Sequence, residues 1–124
     1  MRYLLDTNCC IYLFSGTHRG LIRRVSETSQ GEIALSAITY AELILGSNRG
    51  RQPDRGALQL LVAQMPVLPF DDAAADMYGS LPIKRGSFDR LIAAHALSLD
   101  LTFVTHNVAD FDDVPDLKVE DWTI

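Results

Sequence analysis

Cysteine is scarce in this chain. There are two, Cys9 and Cys10, and they are neighbours. Adjacent cysteines rarely bond to each other, so a disulfide scaffold is excluded. Zinc motifs need more ligands at other spacings. The pair reads as reduced, buried small hydrophobes of a cytoplasmic protein. Long apolar runs are also missing: none approaches the roughly 20 residues that span a bilayer. The opening MRYLLDTNCC meets Asp6 before any extended apolar stretch, so it does not read as a signal peptide. Internal repeats and low-complexity segments are absent. So is an excess of positive charge. With 11 Lys and Arg against 16 Asp and Glu, the formal net charge is −5, which speaks against nucleic-acid binding unless the distribution compensates. In part it does. Six acids (Asp110, Asp112, Asp113, Asp116, Glu120, Asp121) crowd between Thr105 and Ile124 against Lys118 alone. The basic residues gather as Arg19, Arg23 and Arg24, then Arg49, Arg51 and Arg55, then Lys84, Arg85 and Arg90. Each cluster by itself reads as a solvated face.

What is present suits one compact soluble domain over residues 1–124. The composition is 48% hydrophobic and 22% charged, and a chain of this length can build its own core. Tyr3-Leu4-Leu5, Ile33-Ala34-Leu35, Val67-Leu68-Pro69-Phe70, Thr102-Phe103-Val104 and Leu117-Lys118-Val119 read as short strands. Helices are expected over Thr7–Phe14, stopped near Gly16, and over Leu21–Glu27. Others are expected over Thr39–Leu45, ended by Gly46, over Ala57–Met65, and from Asp72 to about Tyr78. The stretch SNRGRQPDRG reads as a loop. The segment FDRLIAAHALSL is apolar nearly all round, as a central buried helix would be. Short apolar strands alternating with helices imply βαβ units and an α/β fold on a parallel sheet. Sites in such folds form outside the carboxyl ends of the strands. Asp6 and the segment after Val104 lie at such ends.

Three acids stand out, each with a structural explanation of its own. Asp6 directly follows a strand and can cap the next helix. Thr39-Tyr40-Ala41-Glu42 fits a capping box, with Glu42 reaching back to the first N–H. Asp89 falls in the first turn of the buried helix, where the helix dipole favours a carboxylate. Such a charge is costly there unless Arg90, Arg85 or a metal ion partners it. Taken together, each acid adjoins a helix at the same end of the sheet. Crowded carboxylates repel one another. Mg²⁺, which takes one or two carboxylates plus waters and substrate phosphate, relieves that repulsion. The pattern suits metal-assisted hydrolysis of a phosphodiester.

The same residues carry a family resemblance. YLLDTN resembles the first motif of PIN domains and LSAITYAELILG the second. RGSFDRLIAAHALSLDLTFVTHNVADF resembles the third and fourth, and VPDLKVEDW is similar to the tail of VapC-type toxins. The ordered set spans nearly the whole chain. It implies a three-layer α/β/α domain with a central parallel sheet of four to five strands. It also implies a Mg²⁺- or Mn²⁺-dependent endoribonuclease toxin that leaves 5′-phosphate and 3′-hydroxyl ends. Asp6, Glu42 and Asp89 match the first three metal-binding acids. The fourth position of the T-x-D motif is here Asn107, after Thr105 and His106. Asn107 can accept a hydrogen bond but brings no charge, and Asp110 is the nearest carboxylate that could replace it. Thr7, Asn8, Ser36 and Thr105 are candidates for orienting the carboxylates and waters. Lys84 and Arg85, then Arg49 and Arg51, are the candidates for RNA phosphates. His95, six residues after Asp89, points away from it on an ideal helix and reads as structural. His18 and His106 read as surface residues or RNA contacts. The resemblance further implies a VapB antitoxin whose C-terminal segment enters the groove, and a homodimer within a larger toxin–antitoxin complex.

Two rival readings have distinct signatures. A haloacid-dehalogenase-type phosphatase wants D-x-D after its first strand, where this chain has Asp6-Thr7-Asn8. A receiver domain wants a late Lys that is not suitably placed here. A PIN fold that only binds its antitoxin and regulates transcription is kept open by Asn107.

Overall fold

The computed structural model describes all 124 residues. Five strands, β1 (Tyr3–Leu5), β2 (Ile33–Ser36), β3 (Val67–Leu68), β4 (Thr102–Val104) and β5 (Val119–Glu120), form one sheet in the order β3-β2-β1-β4-β5. Every pairing is parallel, with Tyr3 beside Ile33 on one side and Thr102 on the other. Six helices connect them: α1 (Thr7–Ser15), α2 (Arg19–Glu27), α3 (Ala37–Asn48), α4 (Arg55–Gln64), α5 (Asp72–Ser80) and α6 (Phe88–Ser98).

Strand alternation divides the core between the two faces. Tyr3, Leu5, Leu35 and Val104 join Cys9, Cys10, Leu21, Leu43, Leu58 and Trp122 on one side. Leu4, Ala34 and Phe103 join Ile92, Ala93, Ala96, Phe111 and Val114 on the other. The result is the expected α/β/α sandwich. Both cysteines are free and buried, as the sequence implied. No helix is long and apolar enough to cross a membrane.

Several boundaries differ from expectation, for local reasons. Helix α3 starts two residues earlier than expected. Ser36, the last residue of β2, is its cap and accepts from Ile38 N–H at 3.1 Å. Gly46 does not end this helix. It stays helical, and the left-handed turn comes at Gly50 (φ 80°). The expected loop 47–56 is therefore shorter at both ends, since α3 runs to Asn48 and Asp54 caps α4 through Ala57 N–H. Strand β3 stops at Leu68, before Pro69, which has no N–H for a ladder. A 3₁₀ turn over Val108–Phe111 was not anticipated.

The order β3-β2-β1-β4-β5 places a topological switch point between β1 and β4, because the chain leaves β1 in one direction and returns to its other edge only with β4. Crevices at such points are where parallel α/β sheets bind ligands.

Candidate active site

Asp6 and Thr105 are the residues that follow β1 and β4, so both stand at the switch point. The Asp6 N–H donates to Val104 O at 3.0 Å, which holds the strand ends together. Asp6 is 6% exposed. Its Oδ1 accepts from Cys9 N–H at 2.7 Å, capping α1 as the sequence suggested. Its Oδ2 accepts from the Thr105 hydroxyl at 2.6 Å. Thr105 is fully buried, and its oxygen in turn accepts from Asn107 N–H at 3.2 Å. Burial pushes the Asp6 carboxyl above its ordinary pKa against these hydrogen bonds, and the charge of Asp89 adds to the rise.

Glu42 is not a capping residue. With Ser36 as the cap of α3, Glu42 lies well inside the helix, and its Oε1 accepts from the Thr7 hydroxyl at 2.7 Å. Thr7 is buried and also lies 3.2 Å from Thr39 Oγ1, so the residue expected to cap α3 instead faces α1 from inside the helix. Burial raises the Glu42 carboxyl as well, opposed by the Thr7 hydrogen bond and reinforced by the charges of Asp89 and Asp6. Asp89 occupies the first turn of α6, whose cap is Ser87. The three acids therefore act on one another electrostatically, although 36 and 47 positions separate them in the sequence (42 − 6 and 89 − 42). The nearby charges acting on Asp6 and Glu42 are carboxylates, with no cation among them. None of the three enters an ion pair.

Of the partners the sequence offered for Asp89, neither Arg90 nor Arg85 forms an ion pair with it, although the charge of Asp89 does act on Arg90. The Arg90 guanidinium is gripped by Asp113, through Nε to Oδ2 at 3.0 Å and Nη2 to Oδ1 at 3.1 Å, and by Asp110 O at 2.9 Å. That grip holds Asp113 below its ordinary pKa and Arg90 above its own. Asp110 belongs to this Arg90 anchor. Its charge is not among those acting on Asp6 or Glu42. Asn107 and Asn8 are exposed.

The donor set suits a hard divalent cation: oxygen ligands, negative charge that no ion pair neutralises, and a buried carboxylate held by Thr105 and Cys9 N–H. The ligand spacing is not closed, however. No three His, Cys, Asp or Glu side chains are set to hold a metal ion between them. Convergence is thus met in charge but not as a tight three-carboxylate cage, and two carboxylates plus waters are what Mg²⁺ ordinarily takes.

Around this centre, Lys84 and Arg85 line a cavity of about 350 Å³ with Gly86, Ser87, Arg90 and Asp113, next to the start of α6. Arg49 and Arg51 lie past the end of α3, about two turns beyond Glu42. Ser36 does not reach the acids; it bonds His95 Nδ1 at 2.8 Å. His95 is 1% exposed, stands edge-on to Phe70 and has Pro69 as a second, backbone partner. It is structural, as its helical position implied. The Arg90 anchor and the Ser36–His95 contact escaped sequence reasoning, because neither has a local spacing signal.

Comparison with known proteins agrees with this fold. A model of the PIN domain matches residues 3–117. The tRNA(fMet)-specific endonuclease VapC of Shigella flexneri is 33% identical over 132 residues, with 99% of each chain covered. Ribonuclease VapC1 of Haemophilus influenzae (strain R2866) is 36% identical over 133 residues, again with 99% of each covered. Among solved structures, VapBC-1 from nontypeable Haemophilus influenzae superposes with a TM-score of 0.81 at 37% identity over 100% of both chains. DNA-bound VapBC from Salmonella typhimurium superposes with a TM-score of 0.86 at 29% identity, covering 98% of each.

Proposed function

The chain belongs to the PIN-domain family, and on that premise we infer that it is an endoribonuclease toxin working with a VapB-type antitoxin. The observation that carries the chemistry is the buried Asp6 carboxylate at the β1–β4 switch point, sharing its field with Glu42 and Asp89, none of the three in an ion pair.

Asp6 and Asp89 would hold a Mg²⁺ or Mn²⁺ ion directly, with Glu42 as a further ligand or acting through water. When bound, such an ion lowers the pKa of a water and offsets charge on the phosphoryl oxygens. The protein's own part is positional. Thr105 and Cys9 N–H fix both oxygens of Asp6, and Thr7 fixes Glu42. Asn107 offers a neutral acceptor where relatives of the motif bring an acid. Lys84 and Arg85 are free to hold an RNA phosphate beside Asp89. The uncharged Asn107 keeps one second reading in view, a binding-only module, and the same experiment separates the two.

That experiment is incubation of purified protein with RNA in Mg²⁺, in Mn²⁺ and in EDTA, followed by sequencing of RNA ends. Transfer RNA is the first substrate to try, since two relatives are named for it. Cleavage with 5′-phosphate ends is expected with either metal, lost in EDTA and lost in Asp6→Asn. Cleavage in EDTA would remove the metal from the reading. Antitoxin binding without any cleavage would establish the second reading. A homodimer is part of the same proposal, and light scattering on the purified chain measures it.

A further inference from the structure

Three aromatic rings gather where the chain leaves β4, and the chemistry above does not use them. Tyr12 on α1 stacks against His18, at the entry to α2, with ring centroids 4.1 Å apart and planes 24° apart. His106, the residue after Thr105, stands edge-on to both, at 6.2 Å from Tyr12 and 6.1 Å from His18. The His106 side chain is 46% exposed. Its backbone adjoins the hydroxyl that holds Asp6.

Counting protons along the flanking hydroxyls settles what the imidazoles offer in their neutral form. Ser15 Oγ donates to Tyr12 O at 2.9 Å, so it accepts from Thr17 Oγ1 at 2.9 Å. Thr17 has then given its only proton and must accept from His18 Nδ1 at 2.9 Å. On the other side the Thr123 hydroxyl donates to Asp121 Oδ1, so it accepts from His106 Nδ1 at 2.7 Å. Both rings thus carry hydrogen on Nδ1, and each leaves Nε2 as an acceptor with no protein partner.

Rigid rings with free edge acceptors match an unpaired nucleobase. Such bases stack on Tyr and His and hydrogen-bond along their edges. A phosphate fits less well, because Asp121 Oδ2 lies 3.7 Å from His106 Nδ1 and repels anions. A metal ion is not favoured either, since no third ligand completes a set. We propose that Tyr12, His18 and His106 form a stacking platform for an unpaired nucleobase next to the scissile phosphate. Each free acceptor takes a donor from the base edge, an exocyclic amine of adenine, cytosine or guanine or the N3–H of uracil, and a paired base has already spent that donor. This rests on the ribonuclease reading and adds a determinant of where RNA is cut.

The test uses single-stranded RNA with 2-aminopurine near the cut site, together with steady-state cleavage. In His18→Ala and His106→Ala, KM is expected to rise about tenfold while kcat changes little, with cut sites losing their preference for an unpaired neighbour. His106→Phe, which keeps a ring but no acceptor, should recover only part of the lost affinity. In the Asp6→Asn background, 2-aminopurine fluorescence should be quenched on binding, and His18→Ala/His106→Ala should remove the quench. Unchanged KM, cut sites and quench in these variants would overturn the platform. Should the wild type cleave no RNA, the ribonuclease reading falls, and quenching alone judges the platform by the same criterion.

Discussion

Thr105 illustrates how much of the site rests on single hydroxyls. Its proton goes to Asp6 Oδ2 and its oxygen accepts from Asn107 N–H. Thr105→Val keeps the shape and removes the hydroxyl. The loss of a hydrogen bond to a buried charged group is expected to cost about 1–3 kcal/mol of stability, and metal affinity should fall about 10–100-fold, as for other outer-shell partners. Urea unfolding and a Mn²⁺ titration measure the two effects separately. His95 gives a prediction in pH. Burial lowers its pKa below the ordinary value, so the folded ring stays neutral where the unfolded chain would bind a proton. Protonation then favours unfolding, so the stability His95 allows is full above about pH 6.5 and is lost as pH falls below it. The difference in unfolding free energy between wild type and His95→Gln should therefore shrink between pH 7.5 and pH 5.5. A difference independent of pH would mean the folded imidazole titrates normally. At this scale the sequence was informative where a residue's role is local. Asp6 as a cap, the reduced cysteines and the structural His95 were all legible. The Arg90–Asp113 grip was not, because 23 residues separate its partners.

At the scale of elements, the α3 start shows where pattern reading errs. Thr39 and Glu42 have the spacing of a capping box, and nothing in the sequence reveals that Ser36 ends a strand and caps a helix at once. The misreading mattered, because a capping Glu42 would have been held by its own helix. Freed from that role, it turns to Thr7 on α1. Ser36 also receives His95 from α6, so one hydroxyl joins β2, α3 and the helix that carries Asp89. Ser36→Ala should destabilise by about 1–2 kcal/mol, from the lost cap and the unpaired imidazole. A double-mutant cycle with His95→Gln should show coupling between the two positions, whereas strict additivity would mean the contact is idle. Strands β1 and β4 matched their apolar runs residue for residue. Strand β3, two residues long like β5, is shorter than the expected run to Phe70 because Pro69 cannot join the ladder.

For the whole molecule, convergence is a property of topology. No local signal says that positions 6, 42 and 89 share one electrostatic field; the parallel order β3-β2-β1-β4-β5 brings them to one end of the sheet, and only the ordered motif set implied it in advance. The charge balance follows the same logic. A chain of net charge −5 can still attract RNA if its free cations border the site. Replacing Lys84 and Arg85 with Ala should weaken RNA binding and flatten the dependence of log K on log salt by about 1.4, or 0.7 per lost contact to a single strand. An unchanged slope would move the phosphate contacts elsewhere.

The most direct measurement is thermal unfolding of wild type and Asp6→Asn, each in EDTA and in saturating Mg²⁺ or Mn²⁺. Relieving the buried repulsion should make Asp6→Asn the more stable protein in EDTA. Added metal should raise the melting temperature of wild type, by about 3–5 °C for each kcal/mol of binding, and leave the variant unmoved. A wild type indifferent to divalent ions, or a variant that responds as strongly, would contradict a shared cation at Asp6, Glu42 and Asp89.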